Sequence, residues 1–277
     1  MTDELLQRLR RFREDAFPHY QARFRELVDE GQHPTTLFIG CSDSRLVPYL
    51  LTGAGPGELF MVRNVGALVP PCCGRLDTSD PEPGGAGWLT RASSEGTGRW
   101  RGGYHGTAAA IEFAVLNLKV KHIVVCGHSH CGAIKALYED LSPEAVNLGA
   151  WLDLAREAVL PVRLFAPEGD KFQDGLRPEV LRRTEQRAIV LQLERLMDYP
   201  MVRRRVERRE LALHGWHYVI EDGEVHVFDL KSGRFVPASQ ADHSGDGPFS
   251  LGDESTLFNE IDDSYAPSVA HYDITVI

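Results

Sequence analysis

Apolar positions along this chain follow two spacings, and the switches between them set out the expected elements. From residue 2 to residue 30, Leu5, Leu9, Phe12, Phe17, Phe24 and Leu27 recur among charged neighbours. That spacing predicts a long amphipathic helical arm with a break near Pro18. Gly31-Gln32-His33-Pro34 reads as a turn, and residues 35–40 and 58–62 as continuous apolar runs of strand length. Between those runs lie a short helix over residues 46–51 and a glycine-rich turn over residues 52–57. Helical spacing resumes over residues 105–119, through Ala109, Ile111, Phe113, Ala114 and Leu116, and a third buried strand follows over residues 122–126. Residues 133–139, 143–160 and 178–197 read as further helices, the last two opened by Pro143 and Pro178. Residues 211–220 and 224–230, joined by Asp222-Gly223, read as a β-hairpin.

Strand, helix and strand in that order predict an α/β fold: a mainly parallel central sheet flanked by helices, with right-handed crossovers. The expected organisation has three parts: an N-terminal helical arm over 1–30, an α/β domain over 31–236, and a loose acidic tail over 237–277. Residues 70–103 interrupt the domain. Pro, Gly, Ser and Thr dominate there without a hydrophobic period, and Cys72-Cys73 stands near the start, so the stretch reads as a loop insertion.

Composition narrows the classes. The chain has 277 residues, 43% hydrophobic and 25% charged, the balance of a soluble globular protein. A formal charge of −10 argues against nucleic acid or an anionic membrane as the main partner. The basic run from Arg203 to Arg209 reads as a solvated helix face. No apolar run reaches the ~18 residues of a membrane span, and the start lacks a signal peptide's pattern, so the expected location is cytoplasmic. Five cysteines in a reducing compartment read as metal ligands or buried thiols.

Two distant stretches carry the candidate chemistry. Thr36-Leu-Phe-Ile-Gly-Cys41-Ser42-Asp43-Ser44-Arg45 and His122-Ile-Val-Val-Cys126-Gly127-His128-Ser129-His130-Cys131-Gly132 each start as a strand and break into polar residues. Open α/β sheets gather their chemistry outside the carboxyl ends of parallel strands. If the two strands are neighbours, Cys41 faces His128 and Cys131. Two thiolates and one imidazole make a zinc site with a position left for water. His130 is the rival imidazole, disfavoured because it adjoins Cys131; Cys126 lies inside the strand and reads as core. Ser42-Asp43-Ser44 has two readings. It caps the following helix, or Asp43 is held ionised and oriented by Arg45 and aimed at the metal's water.

Cys41-Ser-Asp43-Ser-Arg45 together with His128-x-x-Cys131 resembles the signature of β-class carbonic anhydrases, in wording close to the plant and cyanobacterial branch. The similarity extends through residues 57–64, 106–115 and 119–132, and in weaker form to about residue 230. It implies a zinc enzyme that reversibly hydrates carbon dioxide to bicarbonate and a proton. It also implies Zn2+ on Cys41, His128 and Cys131, and Asp43 and Arg45 as a catalytic pair. Gln32, Phe60, Val65 and Phe113 match the substrate pocket, although many relatives carry Tyr at the position of Phe113. The resemblance further implies a homodimer or higher homo-oligomer, and a carboxysome-type compartment is an alternative to the open cytoplasm.

Two other functions are compatible with these residues. One is a hydrolase of a CO2 analogue such as CS2 on the same scaffold. The other is a non-catalytic zinc scaffold that recruits a protein partner through the insertion or the tail. The scaffold has no use for an Asp43–Arg45 pair.

Overall fold

A computed structural model describes residues 3–72, 105–160 and 176–241. Most of the insertion, with Cys73, and the tail beyond residue 241 lie outside the described residues. The arm comprises α1 (Glu4–Arg11), a π-helical stretch (Phe12–Ala16) and α2 (Phe17–Asp29). The helix therefore runs on past Pro18 instead of breaking there. Proline cannot donate to the carbonyl four residues back, and the wider turn just ahead of it accommodates the ring. No arm residue among these three stretches is buried, and Leu5, Leu9 and Phe12 are exposed.

Six strands form one mixed sheet in the order β2-β1-β3-β4-β5-β6. They are β1 (Thr36–Cys41), β2 (Leu59–Asn64), β3 (His122–His128), β4 (Ala212–Val219), β5 (Glu224–Asp229) and β6 (Arg234–Pro237). The first four pair in parallel, and β4-β5-β6 is an antiparallel meander. The hairpin expectation is extended by β6, a short edge strand ending in proline. Four residues without clear alternation carry little sequence signal, and an edge is where a strand tolerates proline.

Alternation on the strands feeds two cores. Leu37, Ile39, Ile123, Val125 and Leu213 pack on one face against α4 (Gly106–Glu112), α7 (Pro178–Met197) and α8 (Pro200–Glu207). Phe38, Val124 and Cys126 face the other way, among residues that include Leu46, Leu68 and Ile134. Both faces of β1 and β3 are thus covered near their carboxyl ends, which is why those strands read as unbroken apolar runs. Each Leu or Ile so buried contributes roughly 1.5–3 kcal/mol. α7 rides close on the sheet: a Cβ at Gly215 would stand 3.0 Å from Ile189 and from Leu193.

Other elements agree in kind and shift at their ends. α3 spans Pro48–Thr52, and α4 continues as a π-helical stretch over Phe113–Leu118. α5 (Gly132–Lys135) passes into a 3-10 turn, and α6 (Val146–Leu152) begins after Pro143, which lies ahead of the helix and not at its first position. Among the described residues no helix is long and apolar enough to cross a membrane.

Candidate active site and metal centre

β1 and β3 are parallel neighbours in a register that pairs Gly40 with Cys126. Cys41 therefore ends one strand beside the place where His128 ends the other. His130 then adopts a left-handed backbone (φ 56°), and the chain doubles back so that Cys131 returns to the same spot. One ligand atom each from Cys41, His128 and Cys131 lie within 4.8 Å of one another, and all three residues are buried. The His130 imidazole lies outside this group, largely exposed, with Nε2 3.4 Å from Glu221 Oε1.

The donors suit a soft-borderline dication. His128 Nδ1 is 2.9 Å from the Ser129 carbonyl oxygen, which can only accept, so Nδ1 carries the proton and Nε2 keeps its lone pair. That Nε2 is buried and has no hydrogen-bond partner among the described residues. A buried polar atom left so is costly unless something binds it. The hydrogen bond between the two thiols draws the pKa of Cys41 well below the ordinary thiol range and drives that of Cys131 well above it. A dication bound here would favour both sulfurs as thiolates. Cys126 differs: burial first, and then the charge on nearby Cys41, push its thiol far up, and it packs as a small apolar residue.

Asp43 borders the group, with Oδ2 3.7 Å from His128 Nε2. Arg45 grips it three ways: the backbone N–H and Nε donate to Oδ1, each at 2.9 Å, and Nη2 donates to Oδ2 at 2.7 Å. These hydrogen bonds hold the Asp43 carboxyl well below the usual carboxylate range. Arg45 Nη2 also donates to the His130 carbonyl at 3.0 Å, so one guanidinium ties the carboxylate to the His/Cys loop.

Several supporting residues were not legible as such in the sequence. Arg63, at the end of β2, donates to the Cys41 carbonyl at 3.0 Å and to the Asp43 carbonyl at 2.6 Å, pinning the backbone on both sides of Ser42. Its one sequence signal is a charge closing a buried strand. Ser129 Oγ donates to Glu221 Oε2 at 2.6 Å and accepts from the Ile220 N–H at 2.9 Å. Neither partner has a motif. The expected pocket residues are placed as follows. Phe60 and Phe113 meet at a tilt with ring centroids 5.7 Å apart, Val65 follows β2, and Gln32 lies between α2 and β1. Gln32, Val65 and Phe113 are exposed within one chain. A separate cavity of about 360 Å³, lined by Phe38, His122, Val124, His214 and Trp216 among others, is bordered by none of the three candidate ligands.

The mixed, mostly parallel sheet with its buried Cys–His–Cys group belongs to a β-class carbonic anhydrase, as comparison with a solved structure of that class shows. The family model described as carbonic anhydrase matches residues 36–225, and this chain belongs to that family. It is 35% identical to a carbonic anhydrase of Synechococcus elongatus over 222 residues, 80% of this chain and 70% of that protein. It is 36% identical to one of Pseudomonas aeruginosa over 234 residues, 84% of this chain and 89% of that protein. Among solved structures, the β-carbonic anhydrase CcaA superposes with a TM-score of 0.64 at 33% identity, covering 84% of this chain and 98% of that one. A tetrameric β-carbonic anhydrase of the ascomycete Sordaria macrospora matches with a TM-score of 0.54 at 29% identity, over 77% and 92% of the two chains.

Proposed function

We propose that this enzyme reversibly hydrates carbon dioxide to bicarbonate and a proton, using Zn2+ held by Cys41, His128 and Cys131, with Asp43 and Arg45 as its catalytic pair. The observation that carries this reading is joint. Three donors suited to zinc converge within 4.8 Å, and a carboxylate fixed by Arg45 stands 3.7 Å from the imidazole among them. Bound there, zinc supplies Lewis acidity and an acidified water, both tempered by two thiolates. Asp43, ionised across the working pH range, accepts a hydrogen bond from the attacking oxygen and aims its lone pair at the CO2 carbon. Arg45 keeps that carboxylate ionised and fixes its orientation.

Phe60, Val65 and Phe113 offer an apolar wall for CO2, and Gln32 offers an amide that can donate to bicarbonate. Three of these four are exposed within one chain, which supports a pocket completed by a second protomer in a homodimer or a larger homo-oligomer. The exposed apolar face of the arm supports the same assembly. We also retain the division into arm, α/β domain and tail, with action in the cytoplasm or a carboxysome-type compartment. The CS2 hydrolase and the scaffold gain no specific support from the geometry.

Stopped-flow CO2 hydration with and without a chelator, paired with metal analysis, tests the proposal. The expected result is one zinc per chain and activity that disappears with the metal. Zinc without CO2 hydration would leave the scaffold as the reading.

A further inference from the structure

The loop that carries His128 and Cys131 is tied down from two sides. Toward the surface, Ser129 is held by Glu221 and the His130 carbonyl by Arg45. Toward the core, the Cys131 N–H donates to Glu185 Oε1 at 2.8 Å. Glu185 comes from the middle of α7 and is 2% exposed, the one buried acidic side chain among the described residues. Its other oxygen lies 3.0 Å from Nε2 of His217, a fully buried residue of β4.

As a device for stability this pair is a poor one. A buried carboxylate–imidazole pair gives up its hydration, and apolar residues of similar volume commonly fill such a place with equal or greater stability. His217 is itself not fully satisfied: its Nδ1 has no hydrogen-bond partner among the described residues, and Phe235 of β6 packs edge-on against the ring. What the arrangement does achieve is an acceptor for one buried N–H. That N–H belongs to the residue reached immediately after the left-handed turn at His130, where the chain has no helical or strand partner to hold it.

We infer that Glu185 is a positioning residue for the metal centre, with His217 fixing its carboxylate. Through the Cys131 N–H it holds the loop so that the Cys131 sulfur faces Cys41 and His128. The inference rests on the zinc reading above. Groups that orient a metal ligand from behind are typically worth about 10–100-fold in affinity.

The test compares zinc-loaded wild type with Glu185→Gln and with the double variant Glu185→Leu/His217→Phe. Zinc release to a chromogenic chelator and the thiolate-to-Co2+ absorption band of the cobalt-substituted protein are followed. Glu185→Gln keeps an acceptor oxygen, so its release rate should stay within about threefold of wild type. The double variant leaves the Cys131 N–H without its acceptor, so it should melt somewhat below wild type, release zinc about 10–100-fold faster and shift the cobalt band. Wild-type retention in the double variant would overturn the inference, and so would equal losses in both variants. A double variant that releases zinc faster with an unshifted cobalt band would also overturn it, because the pair would then serve stability alone. A wild-type chain that takes up no zinc would instead remove the zinc reading itself.

Discussion

Both oxygens of Asp43 are engaged by Arg45, and on the function proposed above that grip lets the carboxylate act without coordinating the metal. Asp43→Asn should therefore keep its zinc and lose about 10²–10⁴-fold in kcat/KM, the usual worth of a positioned acid–base or orienting group. Arg45→Ala removes the grip and also the tie to the His130 carbonyl, so Asp43 is free to swing toward the metal. That variant should be inactive with its zinc retained, and raising the pH should not restore it, since position and not proton affinity is missing. Wild-type hydration rates in both variants would reduce Asp43 to a helix cap. Of the two candidate imidazoles, His128→Ala should empty the site while His130→Ala leaves it filled, as read by metal analysis.

At the scale of elements, the arm is anchored to the domain at one tight place. Gly57 has φ +90°, and a Cβ there would stand 2.5 Å from Leu27 Cδ2 of α2, while Arg23 Nε donates to the neighbouring Pro56 carbonyl. Gly57→Ala should lower stability by about 1–2 kcal/mol in thermal unfolding. Adding Leu27→Ala should recover only the steric part, leaving the left-handed backbone cost. α7 offers a second test. Burial first, and then the nearby Glu157, raise the Glu194 pKa from 4.5 to about 7. The folded state therefore favours the neutral acid. Its contribution is fully present below pH 4.5, declines as pH rises toward 7, and stays lost above that. Glu194→Gln should match wild type near pH 4 and exceed it at pH 8 by an amount on the order of 1 kcal/mol, discounted because the side chain is partly solvated. Equal stability differences at the two pH values would show that the group titrates normally.

For the whole molecule, the decisive feature is apolar surface without cover. Leu5 is 69% exposed, Leu9 63% and Phe12 49%, on an arm with no buried residue. Neighbouring patches of this kind mark association surfaces in soluble proteins. Removing residues 1–28 should yield a smaller species in light scattering, with reduced kcat/KM if a neighbour completes the pocket. An active monomer at assay concentration would refute both the assembly and the shared pocket.

Local order made much of this protein readable without coordinates. Apolar runs named β1, β2 and β3, Pro178 opened a helix that does span Pro178–Met197, and Cys41-x-Asp43-x-Arg45 with His128-x-x-Cys131 pointed to one site. Those signals are legible because a strand end followed by polar residues constrains its neighbours within a few positions. The rest depends on contacts between distant segments, which leave no spacing to read. That His128 and not His130 joins the two cysteines follows from a left-handed turn at a non-glycine residue. That Glu185 meets both Cys131 and His217 follows from α7 crossing the sheet close to Gly127 and Gly215. Even β6, too short and irregular to announce itself, was decided by an available edge beside β5. The sequence by itself determined the strands and the donor types; the packing of α7 and β4 behind the loop decided how those donors are held.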